Sequence, residues 1–289
     1  MRLPIYQIDA FAAGLFQGNP AAVCPLDAWL PTETLQAIAM ENNLSETAFY
    51  VPQGPAGRYG LRWFTPAVEI ELCGHATVAT ASVIQEIRRE TTEPRLFFET
   101  LSGELTVDRD GGLYVLDFPA NPPQPCPIPP QLIEALGAEP ESVLGARDYL
   151  CVYRTADQVR QLAPDMGKLT QLDRRGIIVT APGADGAGVP AHSGQRTDFV
   201  SRADFVSRFF APAKGVPEDP VTGSAHTTLI PYWSRRLGKP KLFARQISRR
   251  GGELWCEDLG NRVKIGGRAV HYLTGEISVP ATVSEIGAS

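Results

Sequence analysis

The stretch that decides the fold reads RWFTPAVEIELCGHATVATASVIQEIRRE and covers residues 62–90. Residues 208–238, RFFAPAKGVPEDPVTGSAHTTLIPYWSRRLG, follow the same order. In both stretches an aromatic segment ending in proline precedes acidic residues, a glycine that opens a small-residue helix, and an Arg pair. A short match alone could arise by chance. The shared order of all these features favours an internal duplication, since self-similarity along a chain is typical of repeated structural units.

Each copy predicts a helix whose first residue is a glycine, Gly74 in the first copy and Gly223 in the second. The Arg pairs near the predicted helix ends oppose the negative end of the helix dipole. Gly238 fits the position just after the second helix, where glycine is favoured. Pro231 falls inside that helix, and we expect a kink or a local distortion there because proline lacks an N–H group.

A proline-rich connector divides the chain near its middle. Residues 119–130, PANPPQPCPIPP, carry seven prolines in twelve positions, a composition that favours an extended segment over a helix or a sheet strand. At roughly 150 residues per domain, a chain of 289 residues has room for two domains. We predict an N-terminal domain over residues 1–118 and a C-terminal domain over residues 131–289.

Most of the remaining chain predicts short strands. RLPIYQID (2–9), RLFFET (95–100), RGIIVTA (175–181) and NRVKIGG (261–267) are rich in β-branched and aromatic residues and are bounded by turn-forming residues. TETLQAIAMEN (32–42) predicts one further helix. Many strands with few helices exclude the regular βαβ alternation of a doubly wound fold and indicate the α+β class.

Composition and charge exclude several classes of function. The chain has 27 Lys and Arg residues against 32 Asp and Glu residues, with no basic run longer than two. A nucleic-acid-binding protein normally presents a basic face, so we expect neither nucleic acid nor an anionic membrane as a partner. The five cysteines are scattered without a CxxC pair, and no 18-residue apolar run occurs. We therefore expect a cytoplasmic protein without a disulfide framework.

The sequence offers no motif for a phosphate-bearing cofactor or for a metal. The GxGxxG and GxxxxGK[ST] patterns are absent. The four histidines lie far apart, and no HxxxH or HExxH pattern occurs. We expect no cofactor and no metal site.

The two glycine-led helix starts are the candidate binding sites. A helix N-terminus exposes unpaired N–H groups and a partial positive charge, which favours a carboxylate. His75 and Ser224 each follow one of the two glycines, and Asp219 precedes the second glycine by four residues, so we expect it beside that helix start. The spacing gives no position for Glu46. Purely structural roles also stay open, such as an N-cap for Ser224 and a turn for Asp219.

Several ungapped segments resemble the phenazine-biosynthesis PhzF-like family. They include DAFAAGLFQGNPAAVCPL (9–26), NNLSETAFY (42–50), ELCGHATVATA (71–81), EDPVTGSAH (218–226) and RVKIGGRAV (262–270), and they cover essentially the whole chain in order. The resemblance implies the diaminopimelate-epimerase-like fold. In that fold two pseudo-symmetric domains each wrap a curved, mostly antiparallel sheet around a central helix, with the active site between the domains. It also implies that the last strands can return to the N-terminal domain.

The resemblance further implies which residues are catalytic. The family's acid/base glutamate falls on Glu46, its active-site histidine on His75 and its aspartate on Asp219. Related epimerases and racemases use two thiols, one from each half of the chain. This chain has Cys73 before the first helix but no cysteine in residues 218–226. A two-thiol racemase is therefore disfavoured, and Glu46 is the better base. Cys73 itself stays open between a reactive thiol and an inert buried one.

The implied substrate-binding residues flank the two helix starts. The resemblance implies that the amides of Gly74 and Gly223 hold the substrate carboxylate, with His75 and Ser224 beside them. Asn19, in the GNP turn, is expected to shape the floor of the cleft.

The function implied by the resemblance is a cofactor-independent isomerase that moves a proton on a small unsaturated carboxylic acid. In the family's namesake a hydroxylated dihydroanthranilate is rearranged during phenazine biosynthesis. Two alternatives stay open: an epimerase or racemase of an amino or hydroxy acid, and a binding protein that kept the cleft but lost turnover. The resemblance also suggests a homodimer.

Overall fold

The computed structural model describes residues 1–183 and 203–279. Its contacts divide the chain into two compact units. Among the described residues, the first comprises Met1–Asp117 together with residues 266–279, and the second is Phe118–Ile265. The first unit therefore includes the last described strand of the chain.

Strands account for most of the regular structure. In chain order they are β1 (Arg2–Ala10), β2 (Asn19–Pro25), β3 (Glu46–Pro52), β4 (Arg58–Phe64), β5 (Glu69–Ile70), β6 (Arg95–Thr100), β7 (Gly103–Asp110), β8 (Leu113–Pro119), β9 (Gln124–Pro125), β10 (Ser142–Gly145), β11 (Tyr149–Val152), β12 (Ile177–Pro182), β13 (Phe205–Ala211), β14 (Val216–Asp219), β15 (Lys241–Gln246), β16 (Gly252–Asp258), β17 (Arg262–Gly267) and β18 (Ala269–Ser278). The helices are α1 (Thr32–Asn42), α2 (Gly74–Ser82), α3 (Pro130–Leu136), α4 (Ala156–Gln161), α5 (Met166–Leu169) and α6 (Gly223–Leu237), with a π-helical turn at Val83–Ile87 and a 3₁₀ turn at Pro212–Lys214. Within the described ranges, no helix combines the length and apolar character needed to cross a membrane.

The two units repeat one pattern of strand pairing. In the first, β1–β2, β3–β4 and β4–β5 are antiparallel, whereas β2–β3 and β4–β6 are parallel. In the second, β10–β11, β12–β13 and β13–β14 are antiparallel, whereas β11–β12 and β13–β15 are parallel. Helix α2 follows β5, and α6 follows β14. The matching order confirms the internal duplication predicted from the sequence.

Each unit has its own apolar core. In the first, the buried side of α1 packs with β2, β3 and β4 through residues that include Leu35, Phe49 and Phe64. In the second, the short helices α3 and α4 pack with β11 to β13, and Leu132 and Phe210 belong to that core. The helix predicted over residues 32–42 is therefore confirmed, as are the four strand segments named above.

Both duplicated helical segments end at their Arg pairs, but in different ways. Arg235 and Arg236 occupy the last turn of α6, and Gly238 follows in the left-handed conformation with φ of 67°, as predicted. In the first unit the α-helix ends at Ser82 and widens into the π-helical turn, where the N–H of Arg88 donates to the carbonyl of Val83 five residues earlier. Arg88 is the C-cap of this turn and Arg89 follows with a positive φ, so the helical segment ends at the first Arg pair as predicted, and Arg88 also pairs with Glu90.

Helix α6 continues through Pro231 as a single helix. Proline cannot donate to the carbonyl four residues earlier, which here belongs to Thr227. That carbonyl accepts instead from the backbone N–H of Asn121, at 3.0 Å. Asn121 belongs to the proline-rich connector, so a connector amide replaces the hydrogen bond that the helix itself cannot make.

His226, in the first turn of α6, is completely buried. Its Nδ1 lies 2.8 Å from the carbonyl oxygen of Thr222. A carbonyl can only accept, so Nδ1 carries the proton of the neutral ring. Within residues 1–183 and 203–279 the other nitrogen, Nε2, has no hydrogen-bond partner. Burial lowers the pKa of His226 to about 4, although the bond to Thr222 opposes the shift.

We predict that the connector hydrogen bond stabilises the second unit. Asn121→Pro removes the N–H group and leaves the Thr227 carbonyl without that donor, at a cost of about 1–3 kcal/mol in the free energy of unfolding. Asn121→Ala keeps the N–H group and serves as the control in urea unfolding. In a Pro231→Ala background the helix supplies its own N–H at residue 231, so the cost of Asn121→Pro should shrink. An equal cost in both backgrounds would contradict this account.

We also predict that His226 makes the protein sensitive to acid. An exposed histidine in the unfolded chain has a pKa near 6.5. Between pH 6.5 and about pH 4 the unfolded chain therefore binds a proton that the folded chain does not, so stability falls as the pH falls. His226→Asn keeps a donor for the Thr222 carbonyl and does not titrate. From pH 7 to pH 4 the wild type should lose roughly 3 kcal/mol more than this variant. If urea unfolding shows the same change in the free energy of unfolding with pH for the wild type and for His226→Asn, this account of His226 is wrong.

Candidate active site

The first unit brings Glu46 and His75 together. Glu46 is the first residue of β3, which pairs in parallel with β2, and His75 is the second residue of α2, which packs against both strands. Oε2 of Glu46 lies 2.9 Å from Nε2 of His75. The two side chains are only 15% and 7% exposed. The spacing of the sequence gives no position for Glu46, and the structure places it beside the first helix start.

Two further polar side chains contact the ring of His75. Sγ of Cys73 lies 3.5 Å from Nδ1 and 3.9 Å from Nε2. Nδ2 of Asn19, the first residue of β2, lies 3.3 Å from Nδ1. The structure therefore joins Asn19, Glu46, Cys73 and His75 in one cluster at the start of α2. Cys73 directly precedes Gly74, and His75 directly follows it.

The charges of this cluster follow from its burial and its contacts. Burial lowers the pKa of His75, but Cys73 and Glu46 outweigh it and raise that pKa well above its ordinary value. Burial raises the pKa of the Cys73 thiol, Glu46 adds to the shift, and His75 opposes it. The pKa shifts of His75 and Cys73 thus both favour the protonated form of these two side chains.

The same three side chains could together hold a metal ion. One ligand atom each from Glu46, Cys73 and His75 lies within 4.8 Å of the others. A metal pattern in the sequence could not reveal this set, because one ligand comes from β3 and two come from the start of α2. The expectation that the protein needs no metal stays a prediction.

The second unit places Asp219 at the start of α6. Thr222 occupies the N-cap position, and its hydroxyl donates to Oδ2 of Asp219 at 2.5 Å. The buried side chain of Gln246 accepts from the N–H of Thr222 at 2.8 Å and donates to the carbonyl of Asp219 at 2.7 Å. The sequence predicts this position for Asp219, and the structure has it there. Thr222 and Gln246 were missed, since Gln246 reaches the helix start from the end of a different strand, β15.

Ser224 is not an N-cap. It is the second residue of α6, after Gly223, and its Oγ lies 3.3 Å from Nη2 of Arg175. The N-cap interpretation of the sequence is therefore wrong, because the chain enters the helix one residue before Gly223. Arg175 was also missed as a site residue. The sequence shows it only as the first charged residue of a strand segment, RGIIVTA, and no spacing connects it with Ser224.

Comparisons with known proteins give the family. The family model described as "Phenazine biosynthesis-like protein" matches residues 8–275. A Pseudomonas aeruginosa protein described as an uncharacterized isomerase is 52% identical over 277 residues, which cover 96% of this chain and 99% of that protein. The crystal structure of a phenazine biosynthesis protein of the PhzF family from Enterococcus faecalis is 45% identical, with a TM-score of 0.87, and covers 96% of this chain and 100% of that chain.

A more distant structure bears on the fold. A hydroxyproline epimerase from Agrobacterium vitis is 11% identical and has a TM-score of 0.54 over 96% of this chain and 92% of its own. The predicted α+β class with an epimerase-like fold is thereby confirmed. Because the family model spans nearly the whole chain, and relatives about half identical in sequence cover 96% of it, the protein belongs to the phenazine biosynthesis-like (PhzC–PhzF) family.

Proposed function

We propose that the protein is a cofactor-independent isomerase that moves a proton on a small unsaturated carboxylic acid. The observation that supports it most directly is the buried pair of Glu46 and His75, which combines a proton acceptor and a proton donor 2.9 Å apart. Relatives described as isomerases support the general class. The choice of substrate class comes from the resemblance to the PhzF family.

Glu46 is the proposed base. Its Oε2 is buried and lies 2.9 Å from Nε2 of His75. A carboxylate has several lone pairs, so contact with one N–H group leaves others available to accept a proton. A proton on a carbon beside an unsaturated acid is only weakly acidic, so a base must lie within hydrogen-bond reach of it. Glu46 takes up this proton and returns it at a second carbon.

His75 is the proposed partner of that step. As an imidazolium it stabilises negative charge that develops on the substrate while Glu46 is protonated. Because the ring contacts Cys73, Asn19 and Glu46, its plane is fixed in advance of the reaction. A fixed donor costs no reorganisation at the moment of proton transfer.

The remaining predicted residues are proposed to bind the substrate. The first N–H groups of α2 and α6, beginning at Gly74 and Gly223, are available to a carboxylate, because the first turn of a helix leaves its donors without helical partners. Asp219 is proposed to orient a polar substituent, and Asn19 to support the ring of His75.

One experiment distinguishes the proposed isomerase from the epimerase and binding-protein alternatives. Small unsaturated carboxylic acids are incubated with the enzyme in D₂O, and deuterium uptake is read by mass spectrometry. An isomerase incorporates deuterium and shifts the double bond, whereas an epimerase incorporates it at a stereocentre with loss of optical activity. A binding protein incorporates none while its melting temperature rises with the ligand. The cytoplasmic location and the homodimer stay predictions.

We predict that Glu46→Gln binds substrate but loses proton transfer. Glutamine has nearly the same volume and can hydrogen-bond, but it cannot take up the proton. Loss of one general acid/base group lowers the rate by about 10²–10⁴, while the affinity for a carboxylate stays close to that of the wild type. Deuterium exchange and calorimetric binding of the same acid measure the two effects separately. Exchange at the wild-type rate would remove Glu46 from the mechanism.

We predict that Cys73→Ser keeps most of the activity. Burial holds the thiol in its protonated form, so it is a poor base compared with the neighbouring carboxylate. Cys73→Ala is the matched control, because it removes the polar atom altogether. Loss of exchange in both variants, with an unchanged circular dichroism spectrum, would point to a thiol mechanism.

A further inference from the structure

Arg175 is held in place by a buried aspartate. Its Nε and Nη2 donate to the two carboxylate oxygens of Asp148, at 3.0 and 2.7 Å. Asp148 is only 1% exposed, and a buried charge of this kind requires a partner. Two parallel hydrogen bonds fix both the position and the plane of the guanidinium group. The ring of Phe209 lies 5.5 Å from the Cζ atom of Arg175 and supports it further.

The same guanidinium group reaches the start of α6. Nη2 donates to Oγ of Ser224 at 3.3 Å, and within residues 1–183 and 203–279 Nη1 has no hydrogen-bond partner. Because Oγ of Ser224 accepts from Arg175, its own proton is available to a ligand. The side chain of Arg175 is 25% exposed and that of Asp148 is 2% exposed, so the open end of the ion pair is the positive one.

These groups form a set of donors suited to one class of ligand. Arginine stays charged at every physiological pH, and its planar donors match the geometry of a carboxylate. The Ser224 hydroxyl adds a neutral donor beside it, and the first turn of α6 adds partial positive charge.

We infer that Arg175 and Ser224 form a carboxylate-binding site, and that this site selects the anionic acid over its amide or ester. The inference rests on the proposed function in one respect, namely that the bound anion is the substrate of the isomerase. Binding of the anion by Arg175 and Ser224 does not require turnover.

The test compares benzoate with benzamide, which have the same shape and differ in charge. Their affinities for the wild type are measured by NMR titration, and we expect benzoate to bind about tenfold more tightly or better. In Arg175→Met the affinity for benzoate should fall about 10- to 100-fold, whereas the affinity for benzamide should not change. Arg175→Lys keeps the charge but lacks the fork, so its loss should be smaller. Arg235→Met removes an exposed charge at the far end of α6 and should bind both probes like the wild type.

A second variant keeps the test decisive if Arg175→Met does not fold, since that change leaves Asp148 buried without its partner. The double variant Arg175→Met/Asp148→Asn removes both charges, and thermal unfolding establishes that it is folded. Undiminished benzoate binding by this variant would overturn the inference. Equal affinity of the wild type for benzoate and benzamide would also overturn it. So would an equal loss of affinity for both probes in the Arg175 variants, which is the result expected if Arg175 and Asp148 have a purely structural role.

The same measurements separate this inference from the proposed function. Glu46→Gln should bind benzoate with wild-type affinity, because Glu46 is proposed to transfer the proton and not to hold the carboxylate. If benzoate binding depends on Arg175 while no acid exchanges deuterium, the isomerase proposal fails and the carboxylate site stands.

Discussion

Burial of α2 along almost its whole length is the constraint on which the first unit depends. Every residue from His75 to Ser82 is buried, so most of these side chains must be small, and each polar group needs a partner within the unit. The hydroxyls of Thr77 and Thr80 meet that need by donating to carbonyls one turn earlier. The ring of His75 meets it through contacts with neighbouring side chains. The chemistry of this unit is therefore concentrated at the start of the helix, where donors are left over and a carboxylate is close.

In the second unit different groups provide hydrogen-bond partners for the polar atoms at the helix start. Its helix α6 starts on Thr222, whose hydroxyl serves Asp219 instead of capping the helix. Gln246 accepts from the backbone N–H of Thr222 itself, the group that the N3 side chain serves in a capping box. Duplication has thus preserved the strand order and the glycine at the helix start, while the polar groups around that start have diverged. A histidine–carboxylate pair marks the first copy, and a hydroxyl–carboxylate pair marks the second.

The sequence predicts those structural features that depend on residues close together in the chain. Gly74 and Gly223 could be predicted as the first residues of their helices, because small residues and helix-start signals lie close together in the chain. Asp219 could be placed for the same reason, at a distance of four residues. Glu46 and Arg175 could not, since each reaches its site through pairing between strands that are distant in sequence. The change from α-helical to π-helical hydrogen bonding after Ser82 was also beyond prediction, because a π-helical turn depends on how the chain is packed and leaves no simple pattern of residues.

The connector amide that pairs with Thr227 has a consequence for how the chain tolerates length changes. Pro231 creates a carbonyl that needs an outside donor, and Asn121 supplies it. The next two residues are Pro122 and Pro123, neither of which has an N–H group to offer. A shift of the connector by one or two residues in that direction would present a proline to the open carbonyl. The hydrogen bond between Asn121 and Thr227 therefore fixes the position of the connector along the helix. Insertions after Pro123 should be tolerated far more readily than insertions just before Asn121.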